Sequence, residues 1–204
     1  MIHQKRSLLA LSLAFALNFL PGASLLQSAC ARPEASNATV LDEQIGDRPY
    51  QVIKVLVKAR PEQVWQVITD YSGAPHIFAN LKKCQVLLDK GATKIVHYSL
   101  RPSGLIATFE YDLEVKELPN RFIEWHRVGG DFKAVDGYWK LEPADCGRST
   151  MVTYANHVNG GLFMPQALIR RQSHIDLPGV MTALKSQSER TMNLASHARA
   201  TSNQ

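Results

Sequence analysis

Apart from His3, the histidines of this sequence are His76, His97, His126, His157, His174 and His197. No two of them form HExxH or another spaced metal pair, and Cys84 and Cys146 have neither CxxC spacing nor a histidine pair nearby. No metal and no cofactor is therefore expected. His126 and His157 fall in strand-like segments, where each can face either an interior or water. Glu110, Asp112 and Glu114 recur at alternate positions. Two carboxylates can divide acid and base work, but only in a buried site that drives their pKa values apart. The alternation places these three opposite Phe109 and Tyr111, on a solvated face. There is no GxSxG and no cysteine with an obvious histidine partner, so no nucleophile constellation is visible. Gly129-Gly130 and Gly160-Gly161 lack the flanks of a phosphate loop and read as turns.

The remaining candidates suit binding. Phe109, Tyr111, Trp125, Trp139 and Tyr154 are aromatic residues whose alternation allows them to line a cavity or simply to pack a core. Asn156 shares the face of Tyr154 and supplies a polar contact of the kind that orients an apolar ligand. Met164 and Met181, on the last helix, would adapt to a variable guest. Arg127 shares strand parity with Ile123 and Trp125. If those face a groove, its guanidinium needs a carboxylate, carbonyl or ligand anion; the alternative is a strand-end arginine reaching water. Arg170 and Arg171 read as outward-facing.

The elements that must position these residues follow from periodicity. "YQVIKVLVKA" (50–59) reads as a strand, with Ile53, Val55 and Val57 on one side. In the following "RPEQVWQVITDYSGAPHIF", Pro61 suits a first helical position, and Val64, Trp65 and Ile68 keep helical spacing. Tyr71-Ser72-Gly73 ends that helix, and a second short one is expected over 75–80. Six strands follow from Lys82 to Val158, with turns at Lys90-Gly91, Pro119-Asn120, Gly129-Gly130-Asp131 and Asp145-Cys146-Gly147. The cleanest alternation is in "GLIATFEYDLEVKEL". Leu105, Ala107, Phe109, Tyr111, Leu113 and Val115 share one face there, as expected of an antiparallel sheet wet on one side.

A seven-stranded sheet with one apolar face needs a cover, and only the C-terminal segment is long enough. Leu162, Met164, Leu168 and Ile169 start its apolar set, and Leu177, Val180, Met181 and Leu184 continue it. Pro178 interrupts this helix. Asp176 looks like a fresh N-cap, which predicts a restarted, kinked helix bending over a curved sheet.

Lys5 and Arg6 precede an apolar run from Leu8 to Leu20 and then Pro21-Gly22. This reads as a signal peptide over 1–31 and predicts export to a periplasmic or extracellular site. Ala29-Cys30-Ala31 fits cleavage before Arg32; Ser28-Ala29-Cys30 is also a partial lipobox, to which Gln27 is poorly suited. Residues 32–49 read as a flexible leader, 50–197 as one domain and 198–204 as a disordered tail. The net charge of +5 falls to +3 without Lys5 and Arg6. That excess is scattered, with no basic stripe and interleaved aromatics, so nucleic acid is not an expected partner. Peripheral contact with an anionic membrane surface fits the charge, and the oligomeric state is not legible. In an exported chain Cys84 and Cys146 either pair or stay reduced.

Several segments carry a resemblance: "ARPEQVWQVITDYSGAPHIFANLKKCQVL", "FEYDLEV", "VDGYWKLEP" with its Gly-x-Trp-x-Leu, "STMVTYANHV" and "GLFMPQALIRR…DLPGVMTAL". In order and spacing the span 50–195 resembles the START-like superfamily, also called SRPBCC or helix-grip proteins. It is most similar there to the polyketide cyclase/dehydrase and coenzyme-Q-binding group. The resemblance implies an α+β helix-grip fold, in which a curved seven-stranded antiparallel sheet wraps a long kinked C-terminal helix. It implies two short helices between strands 1 and 2, and a cavity holding a lipid, quinone or polyketide-like molecule. A carrier and a cyclase- or dehydratase-like enzyme are both compatible with it.

Overall fold

The computed structural model describes residues 38–201. The expected signal peptide, Cys30 and residues 202–204 lie outside the described residues. Strands β1 (Val40–Ile45) and β2 (Arg48–Val57) precede helices α1 (Pro61–Thr69) and α2 (Ala74–Ile77). Then follow β3 (Leu81–Asp89), β4 (Thr93–Leu100), β5 (Phe109–Leu118), β6 (Phe122–Gly130), β7 (Ala134–Ala144) and β8 (Ser149–Asn159). Helix α3 (Gln166–Thr201) ends the fold. Every strand pair is antiparallel, in the order β1-β2-β8-β7-β6-β5-β4-β3 of one curved, open sheet.

Local chemistry explains the elements. Pro61 opens α1, Gln63 Oε1 accepts from the Arg60 backbone N–H at 3.0 Å, and Val64, Val67 and Ile68 bury one face. The β3–β4 turn places Gly91 at φ +77°, where Asp89 Oδ1 accepts its N–H. Val57, Val64, Val96, Val115, Val152, Met181 and Leu184 are fully or almost fully buried between the sheet, α1 and the later turns of α3.

The α+β sheet-and-helix architecture is the expected one, with four departures. The sheet has eight strands, not seven, because Val40–Ile45, within the stretch read as leader, pairs with β2 from Val40↔Ile53 to Ile45↔Arg48. Strand β5 begins at Phe109, since the preceding loop turns at Gly104 (φ +75°) and leaves Ala107 and Thr108 in water. Helix α3 runs unbroken through Pro178 and on to Thr201, past residue 198 where a tail was expected. A proline inside a helix costs about 3 kcal/mol. Buried Leu177, Met181 and Leu184 on either side of it each return ~1.5–3 kcal/mol, so packing carries the helix across. Asp176 therefore caps nothing; its carboxylate bonds elsewhere, as described below. Fourth, Cys84 is a free, buried thiol, so the pairing of Cys84 with Cys146 is not made. No helix among the described residues is long and apolar enough to cross a membrane.

Candidate functional site

Between the concave face of the sheet and the first turns of α3 lies a cavity of about 360 Å³. Its wall comes from strand alternation. Tyr98 and Leu100 of β4, Tyr111 and Leu113 of β5, Trp125 of β6, Trp139 of β7, and Tyr154 and Asn156 of β8 all point into it. On the opposite face of the sheet, His97 Nδ1 lies 2.8 Å from Asp112 and His126 Nε2 3.7 Å from Glu114. Tyr154 sits between the two indoles, with ring centroids 4.4 Å from Trp139 and 5.6 Å from Trp125. Tyr98 and Tyr111 stack at 5.6 Å, and Phe132 closes on Tyr111 and Phe109. Such pairs favour offset and edge geometry and hold the wall rigid. Gly137 makes this packing fit. It stands opposite Trp125, and a Cβ there would come within 2.5 Å of the indole and 2.4 Å of the Ala155 carbonyl oxygen.

The cavity is electrically quiet. Burial pushes the Tyr98, Tyr111 and Tyr154 hydroxyls well above the ordinary phenol range, so all three remain neutral donors. Tyr71, at the closed end, is also raised by burial and then by donating to Glu117 Oε1 at 2.6 Å; Lys94 Nζ holds the other oxygen at 3.1 Å. The Cys84 thiol is pushed up to about 12 by burial, against the opposing effect of its contact with Tyr98. It is a packing residue rather than a nucleophile. Among the described residues no Lys, Arg or His lines the cavity, and no group of three or more His, Cys, Asp or Glu is placed to hold a metal ion. The Asn156 Oδ1 atom is buried with no partner.

The mouth lies between the 101–108 loop and α3. Asp176 Oδ1 accepts the Ser103 N–H at 3.3 Å. Gln172 Nε2 donates to the Ser103 carbonyl at 3.0 Å and to Asp176 Oδ2 at 2.9 Å, and Ser103 Oγ donates to Asn80 Oδ1. Pro102 and Leu105 of this loop and Met164, Leu168 and Ile169 across from it line the opening. Ile106 and Leu162, at 95% and 97% exposure, stand free beside it.

Seven of the nine sequence-predicted residues meet in this cavity: Phe109, Tyr111, Trp125, Trp139, Tyr154, Asn156 and Met164. Two do not. Met181 is fully buried in the core further along α3. Arg127 shares the parity of Trp125, but at the strand end its Nη2 turns back to donate to the Gly130 carbonyl at 2.8 Å. Sequence reasoning missed Tyr98, although Val96, Tyr98 and Leu100 alternate. It also missed Tyr71 and Phe132, which sit in loops with no period, and the contact between Ser103 of a loop and Asp176 of α3. His157 is buried beside β2, its Nδ1 2.8 Å from the Pro49 carbonyl oxygen, away from the cavity.

The profile of a family described as polyketide cyclase/dehydrase and lipid transport matches residues 57–185. Among curated proteins nothing matches. Among solved structures, the Zhui aromatase/cyclase from Streptomyces sp. R1128 superposes with a TM-score of 0.62 at 16% identity, covering 70% of this chain and 94% of that one. A START superfamily protein from Mycobacterium smegmatis gives 0.61 at 18% identity, over 70% and 98%. A STAR-related lipid transfer protein from Xanthomonas axonopodis gives 0.62 at 16% identity, over 78% and 97%. At such identities the likeness shows the fold alone.

Proposed function

The chain belongs to the polyketide cyclase/dehydrase and lipid transport family, and from that premise we propose that it binds or carries a hydrophobic small molecule between its sheet and α3. The observation that supports this is a cavity walled by rigid aromatic rings, in which the described residues place no activated nucleophile, no Lys, Arg or His, and no metal cluster. Burial returns ~25 cal/mol per Å², so a guest losing about 200 Å² of apolar surface gains ~5 kcal/mol before the costs of association. The test is mass spectrometry of an organic extract from purified protein. A stoichiometric lipid, quinone or polyketide-like molecule is the expected result, and an empty extract from folded protein would count against a tight carrier.

A second reading, a cyclase- or dehydratase-like enzyme, draws on the neutral Tyr111 and Tyr154 hydroxyls in the cavity. A positioned phenol can pass a proton to a folded chain, and positioning alone accelerates cyclisation. Tyr154→Phe separates the two: an enzyme loses turnover while keeping affinity, whereas a carrier has no turnover to lose.

We also propose that the protein works after export and loads at a membrane surface. Its N-terminal residues support the first point, tested by cell fractionation and by finding Arg32 at the mature terminus. Exposed Ile106 and Leu162 at the mouth, with exposed Arg101 and Lys133 on adjoining segments, support the second. Ile106→Asp with Leu162→Asp should abolish co-flotation with anionic vesicles while leaving the fold intact; undiminished flotation would refute this route.

A further inference from the structure

The polar groups of the cavity restrict what its guest can be. Asn156, on the cavity lining, carries a buried Oδ1 that no donor among the described residues meets. Its cross-strand neighbour Gln51, on the same face, has an Oε1 in the same condition, while its Nε2 is occupied by Asp42 at 3.3 Å. The Tyr111 and Tyr154 hydroxyls face the cavity and donate to no protein acceptor among the described residues, and burial keeps both protonated. Asn156 Oδ1 and the two tyrosine hydroxyls are thus polar groups of lining residues that the described residues leave unmet. Among the described residues no cation lines the cavity, and the only carboxylate they place on its lining, Asp176, stands at the mouth. An anion entering would lose its water, pass a negative charge and meet no counter-ion.

We infer that the guest is an uncharged apolar molecule carrying a hydroxyl-type group, which donates to Asn156 Oδ1 and accepts from a tyrosine hydroxyl. A hydroxyl is the smallest group that does both. Carboxylate lipids and phosphate-bearing groups are excluded from the deep cavity. This deepens the binding reading above and rests on it.

The test uses three ligands of one shape: naphthalene, 2-naphthol and 2-naphthoate, titrated calorimetrically at pH 7.5 into the full mature protein. The phenol should bind about tenfold tighter than the hydrocarbon, and the carboxylate weaker than either. Asn156→Leu, close in size, should bring 2-naphthol to the level of naphthalene, with retained naphthalene binding showing that the variant is folded. Tyr154→Phe should lower 2-naphthol affinity by a smaller factor. Naphthoate binding as tight as naphthol, or an unchanged naphthol preference in Asn156→Leu, would overturn the inference and leave the binding reading standing. No binding of any of the three would overturn both.

Discussion

The two halves of α3 do different work. From Gln166 to Asp176 the helix faces a cavity. Leu168 is 44% exposed, Gln172 and Asp176 clasp the 101–108 loop, and Arg170 and His174 reach Asp42 of β1. From Met181 to Ser188 it faces a core, with Leu177 and Val180 still lining the far end of the cavity. Met181, Leu184 and Ser188 have no exposure, and Lys185 Nζ donates to the Leu56 carbonyl at 2.9 Å. Both halves keep an apolar stripe at helical spacing, so the stripe does not distinguish them. The partner does: one half meets rings held apart around a space, the other meets side chains packed to contact. Pro178 falls near the change, and the packed half holds the helix continuous across it.

Truncating the packed half should have the largest effect. Leu184→Ala leaves a void that its surroundings cannot fill, and a loss of about 2–5 kcal/mol in stability is expected from chemical denaturation. Ligand affinity per folded molecule should barely change. Leu168→Ala inverts the pattern, with a stability change under about 1 kcal/mol and a measurable loss of affinity, read by calorimetry. Equal stability losses at the two sites would erase the contrast between the halves.

A smaller effect tests how the first half is tied down. Burial alone would raise the Asp42 carboxyl, but hydrogen bonds from Arg170, Gln51 and His174 and the charge of Arg170 leave it below the ordinary value. The unfolded carboxyl titrates near 3.9, roughly. Its contribution is therefore fully present above that pH and is lost as pH falls through the lower folded value. Hydrogen exchange in β1 should accelerate below about pH 4, before global unfolding, and Asp42→Asn should remove that step. A β1 whose exchange follows the core at every pH would mean the tie is unimportant.

Most of this architecture was legible because alternation and helical spacing are local. β5 to β8 and the six wall residues they carry followed from parity, and Met164 from the apolar set at the start of the last helical segment. β1 escaped notice because its edge sequence, Val40-Leu41-Asp42-Glu43-Gln44-Ile45, is mostly polar, although Gly46-Asp47 is a usable hairpin signal. Ala107 was misplaced because alternation continued past a turn that only Gly104 announced. Arg127 and Met181 were misassigned for one reason: parity and helical phase give the face of an element, but not what lies across from it. The Asp176–Ser103 contact spans 73 residues and leaves no local trace.

The central claim is that the space beneath the first half of α3 is a binding site and not a packing defect. Its most direct test is titration of the neutral fluorophore N-phenyl-1-naphthylamine into the wild type and into Leu113→Trp, which fills the cavity from β5. One equivalent bound by the wild type, and none by a Leu113→Trp protein of equal or higher Tm, is the expected result. Undiminished binding in the filled variant, or no binding by the wild type, would contradict it.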